Sequence, residues 1–105
     1  MSIVSITAIF ANEEEAARIG EAMVEARLAA CVNIVGPVHS IFRWKGKVER
    51  ADEVVAVFKT TALAADALIT RVAGLHSDEV PCIFSEPIDK VLASYAEWVE
   101  SNVGG

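Results

Sequence analysis

Cysteine is almost missing from this chain: Cys31 and Cys82 are the only two in 105 residues. Two isolated thiols make neither a disulfide framework nor a spaced metal motif, so both are expected to be buried and free. A basic excess is missing too. Nine Lys and Arg stand against fifteen Asp and Glu, for a net charge of −6. That excludes a nucleic-acid surface, whose affinity rests on neutralising phosphates with cationic side chains. No apolar run approaches the ~20 residues that span a bilayer. Met1-Ser2-Ile3-Val4 carries no basic segment ahead of a short apolar one, so no secretory signal is read and the expected compartment is the cytoplasm. There is no Gly-rich phosphate loop and no Gly-x-Ser-x-Gly elbow.

Hydrophobic residues, by contrast, make up 53% of the chain, ample for the core of one domain of this length. Residues 2–10, SIVSITAIF, are β-branched or apolar at nearly every position and read as a central strand. Asn12 with Glu15 forms a capping-box pattern, opening a helix expected from Glu13 to Leu28 with Ala16, Ile19 and Met23 on its apolar face. Two extended runs follow, Ala30–Trp44 and Lys47–Thr60, joined by a Lys45-Gly46 corner. The first is interrupted by Gly36-Pro37, a bend or bulge. A second helix is expected over 62–73, with Gly74 as its stop. The short strand EVPCIFSEPI and a last amphipathic helix carrying Val91, Leu92, Tyr95, Trp98 and Val99 complete the chain. The order β-α-β-β-α-β predicts an α+β, ferredoxin-like antiparallel sheet with an extra C-terminal helix and a long β-hairpin arm.

That arm is too long for its domain. A compact chain of this size is about 33 Å across, whereas fourteen or fifteen extended residues reach about 45–50 Å. Alternation puts Val38, Ser40, Phe42 and Trp44 on one face and His39, Ile41 and Arg43 on the other. Apolar residues on both faces of a two-stranded ribbon call for cover. Ile41, Phe42 and Trp44 are therefore expected at a subunit interface, with a neighbour's sheet edge receiving the arm. The basic cluster at its tip, Arg43, Lys45, Lys47 and Arg50, reads as a solvated turn.

RLAACVNIVGPVHSIFRWKGKVE, with DEVVAVFKT, LHSDEVPCI and the later EPI, Tyr95 and Trp98, resembles the CutA family of divalent-cation tolerance proteins over nearly the whole chain. The resemblance implies a small ferredoxin-like, intertwined homotrimer, similar in arrangement to PII-type signalling proteins, and a role in copper or divalent-cation tolerance with no accepted reaction. It implies metal ligands at a cysteine near the end of the first strand and at two histidines after the second helix. In this chain those positions read Ala8 and Leu75-His76, and the stretch after them has Ser77 and Asp78 where the family carries Pro and Tyr.

His76, beside Asp78 and Glu79, is thus one candidate ligand for Cu(II) or another divalent cation, and Cys31 is the other. Catalysis needs a nucleophile beside a base, or paired acids in a cleft. Glu49, Asp52 and Glu53 read instead as solvated acids and Thr60-Thr61 as a helix start, so no enzyme is expected. Two roles remain: a homotrimer serving cation tolerance, with or without bound metal, and a PII-like regulatory module that takes a small anionic metabolite or a partner protein at subunit clefts. Lys59 is the residue that such an anion would meet.

Overall fold

A computed structural model describes residues 2–104. It contains β1 (Ile3–Phe10), α1 (Glu13–Glu25), β2 (Cys31–Trp44), β3 (Lys47–Thr61), α2 (Ala62–Leu75), β4 (Ile83–Pro87) and α3 (Ala93–Asn102). The sheet is antiparallel throughout, in the order β2-β3-β1-β4. This is the α+β arrangement expected, with α3 added after the fourth strand.

Alternation decides which side of the sheet becomes the core. Val4, Ile6, Ala8 and Phe10 of β1, together with Val54, Ala56 and Phe58 of β3, are buried in one cluster with Ala16, Ile19 and Met23 of α1 and Leu68 and Val72 of α2. Residues of the other parity pair in register, Ile9 with Val55 and Thr7 with Val57, and are only half-buried. On that second face Val99, Tyr95 and Ala96 of α3 pack with Ile3 and Ala30 at one end. Among the described residues no helix covers the rest of that face.

β4 takes only Ile83–Pro87 of the expected EVPCIFSEPI run, leaving 79–82 as loop. Three helix boundaries also differ from the sequence expectation, each for a local reason. α1 ends at Glu25, not Leu28, because Arg27 turns into the left-handed region (φ 60°). The turn holds because the Arg27 N–H bonds the Val24 carbonyl and the Leu28 N–H bonds that of Met23. The Arg27 guanidinium then ties the C-terminus down, donating to the Ser101 carbonyl at 2.9 Å and to that of Gly104. α2 runs through Gly74 to Leu75 and stops only where His76 turns extended. α3 begins at Ala93, so Val91 and Leu92 precede it and stand on the surface.

β2 and β3 form the arm. Lys45 and Gly46 both take positive φ (49° and 81°), the type I′ geometry whose twist matches two paired strands. Gly36 and Pro37 stand against the single residue Val54, between the pairs Val35–Val55 and Val38–Glu53, so the expected bulge is present. A Cβ on Gly36 would come within 3.1 Å of Val54 Cγ2, so a larger residue there needs the Val54 side chain to give way. The molecule measures 45 × 25 × 21 Å, so the arm projects beyond the body of the domain.

Candidate functional site

The loop between α2 and β4 is fastened by two side chains. Asn12 Oδ1 accepts the Glu15 N–H at 2.8 Å, capping α1. Glu15, only 6% exposed, then accepts the Ala11 N–H through Oε1 (3.3 Å) and the Ser77 N–H through Oε2 (2.9 Å). Burial pushes this carboxyl upward. Hydrogen bonds from the Ser77 side chain and from the Ala11 and Ser77 backbones, with the electrostatic pull of His76, outweigh burial and hold it below the ordinary carboxylate value.

His76 is the second fastener. Its Nε2 lies 2.6 Å from the Ile9 carbonyl oxygen, a contact that only an N–H can satisfy. That places the lone pair on Nδ1, which accepts the Asp78 N–H at 3.0 Å. The ring stacks on Phe10 at 4.8 Å. Both nitrogens are therefore engaged, and a metal ion would have to displace one of these hydrogen bonds.

Cys31, the other expected ligand, lies at the opposite end of the sheet. It pairs with Lys59, which pairs with Ser5 of β1, whereas His76 bonds Ile9. Four residues of strand separate Ser5 from Ile9, about 13 Å along β1. The Cys31 Sγ sits 3.4 Å from the Tyr95 hydroxyl. Burial, then the hydrogen bond and charge of Cys31, push that phenol up to about 12. The structure does not bring His76 and Cys31 together, and among the described residues no three His, Cys, Asp or Glu side chains cluster as metal ligands. Both thiols are free, but neither is buried as expected: Cys31 is half-buried, and Cys82 is exposed because it lies in the loop just before β4. The two expected ligands thus do not form a resident metal site within one chain.

The expected interface residues are on the surface. Ile41 is 63% exposed and Val48 58%, and Phe42 and Trp44 are also exposed. Ile41, Phe42 and Trp44 line one wall of a cleft of about 1090 Å³, and Ser77, Asp78, Glu79, Val80 and Cys82 line part of the other. The Glu15–His76 fastening therefore fixes one wall of this cleft. Lys59 bonds Asn33 Oδ1 (3.0 Å) at the far end of β3 and does not line this cleft.

Three participants escaped the sequence reading. The second oxygen of Glu15 reaches Ser77, sixty-two residues away, and Tyr95 reaches Cys31 across sixty-four. Nothing local announces either. The pairing of His39 with Asp52 was different: a two-residue turn at Lys45-Gly46 fixes the register that sets them opposite each other.

A family model described as CutA1 divalent ion tolerance protein matches residues 3–102. The divalent-cation tolerance protein CutA of Thermus thermophilus is 44% identical over 93 residues, covering 89% of this chain and 90% of its own. The solved structure of the cation tolerance protein from the same organism superposes with a TM-score of 0.93 at 40% identity, over 97% of this chain and 99% of that one. The structure of a protein from Archaeoglobus fulgidus described as a periplasmic divalent cation tolerance protein does so at 0.94 and 35% identity, over 97% and 99%. With the fold, the strand order and the arm all in place, the chain belongs to the CutA1 divalent ion tolerance family.

Proposed function

We propose that this chain acts as a cytoplasmic homotrimer in divalent-cation tolerance, copper above all, without being an enzyme, and that its arms hold the trimer together. One observation carries the reading: the arm leaves large apolar side chains exposed on both of its faces, Ile41 on one and Phe42 and Trp44 on the other. Isolated hairpins are marginal in water, and long exposed edges invite strand addition. The uncovered half of the second sheet face, with Ile9, Val55 and Val57, offers a neighbour further apolar surface.

Metal enters this proposal as cargo met at the protein surface and not as a resident cofactor, because neither His76 nor Cys31 is free to hold it alone. The PII-like reading, an anionic metabolite in the cleft, is weaker on charge. Asp52, Glu53, Asp78 and Glu79 line the cleft against Arg43 and Lys45 only.

The test is growth. In a host lacking its own tolerance protein, the wild-type chain should restore growth in copper, and the arm variant Trp44→Asp should not. Equal protection by both would separate tolerance from the arm. Fractionation of the same host checks the compartment, with recovery in a periplasmic fraction counting against the cytoplasm.

A further inference from the structure

The C-terminal helix stands apart from the main core. Residues buried under α1 and α2 form one cluster, whereas Ile3, Ala30 and Val99 form a second, with Ile88, Tyr95, Ala96 and Val103 packed against them. Val99 is the one buried residue of α3, and Trp98 stays exposed, stacked on Tyr95 at 5.7 Å. The helix is also weak by itself. It has ten residues, no side-chain cap at Leu92, no acid in its first turn and no base in its last. Isolated helices of that length are marginal in water, so α3 depends on what fastens it.

That fastening is concentrated on Arg27. Its carbonyl accepts the Gly104 N–H at 2.8 Å, and its guanidinium donates to the Ser101 carbonyl at 2.9 Å and to that of Gly104. Arg27 is exposed, so water can replace these bonds at low net cost. At the other end of α3, residues 88–92 carry neither helix nor strand and include the exposed Val91 and Leu92. Between the two ends, the Tyr95 hydroxyl meets Cys31 Sγ at 3.4 Å. Few buried apolar contacts, exposed polar ties and an irregular connector are the marks of a segment that opens by itself.

We propose that α3 is a strap: when the Arg27 clasp lets go, it lifts from the sheet as one unit about the 88–92 connector, while the sheet, α1 and α2 stay folded. Lifting uncovers Ile3, Ala30 and the Cys31 side chain at one end of the second sheet face. The other end of that face, with Ile9, Val55 and Val57, has no helix over it among the described residues. The open strap therefore offers a neighbour one continuous face, where the closed strap offers part of it. That consequence rests on the assembly reading of the proposed function. The strap itself rests on α3 and Arg27 alone.

Hydrogen exchange of the full chain, followed by mass spectrometry at neutral pH without denaturant, reads the opening directly. In the wild type, amides of α3 should exchange together and at least about ten-fold faster than those of β1, β3 and α2. Arg27→Met keeps a long side chain but removes its donors. It should speed α3 exchange by a further factor of about ten and leave β1, β3 and α2 unchanged. A thiol measurement separates lifting from fraying: iodoacetamide labelling of Cys31 should rise with α3 exchange in Arg27→Met, with the exposed Cys82 as internal reference. Wild-type α3 amides as slow as those of β1 overturn the strap, and that measurement needs no variant. So does a rise in Arg27→Met that is spread over the whole chain, no rise at all, or faster α3 exchange with Cys31 labelling unchanged. The growth and mass measurements test tolerance and assembly separately, so a failed strap and a failed trimer are told apart.

Discussion

Replacing Glu15 by Gln keeps the shape of the side chain and removes its charge. The carboxylate accepts two backbone N–H groups, from Ala11 and Ser77, in a site where it is nearly inaccessible to water. A glutamine offers one oxygen to one of them and turns an NH₂ group toward the other. Hydrogen bonds to charged groups contribute about 1.5–3 kcal/mol each, and an orphaned buried donor costs a similar amount. One such loss predicts a destabilisation of about 1.5–3 kcal/mol. For a domain near this size that is a fall in Tm of roughly 6–12 °C at neutral pH, with protein concentrations matched. The pH dependence gives a sharper check. Because the folded state holds Glu15 below its ordinary value of 4.5, its contribution is complete above that pH and drains away as pH falls through the lower folded-state value. Calorimetry at neutral and at strongly acid pH should therefore show a gap between wild type and Glu15→Gln that closes in acid. Equal Tm values at neutral pH, or a gap that persists unchanged in acid, would refute the fastening role.

Tyr95 gives the mirror case: its phenol is raised to about 12, so its contribution is whole below the ordinary value of 10 and is lost as pH rises toward 12. Tyr95→Phe should remove that alkaline loss, measured by thermal melts across the range. Phe58, fully buried between sheet and helices, should cost about 3–5 kcal/mol on truncation to Ala, read from denaturant midpoints. Gly20→Ala puts a Cβ 3.0 Å from Val32 Cγ1, where overpacking costs about 1–3 kcal/mol. A neutral result there would mean that the gain in helix propensity, about 1 kcal/mol from Gly to Ala, with a small shift of the Val32 side chain, offsets the crowding.

Much of the fold was legible because its signals are local. Asn12 and Glu15 announced the start of α1 by chemistry confined to one turn, and Gly36-Pro37 announced the bulge because proline lacks a ladder donor. The end of α1 was misread for an equally physical reason. Apolar spacing continues through Leu28, and the reversal at Arg27 is fixed by backbone bonds and by contacts with Ser101 and Gly104, far along the chain. Gly74 read as a stop, yet a glycine in the last turn of a helix costs only about 1 kcal/mol, and α2 continues through it to Leu75. The candidate site was the least legible part. Residue type nominated His76 as a ligand, but its role is decided by the Ile9 carbonyl and the Asp78 N–H, neither of which residue type reveals.

Assembly is where the account stands or falls, and native mass spectrometry at micromolar concentration addresses it most directly. A single species is expected at three times the 11.2 kDa chain mass, converted to smaller species by Trp44→Asp combined with Ile41→Asp. A wild-type chain that flies as a monomer would contradict it: the exposed apolar arm would then need no partner, and the proposed trimer would be lost.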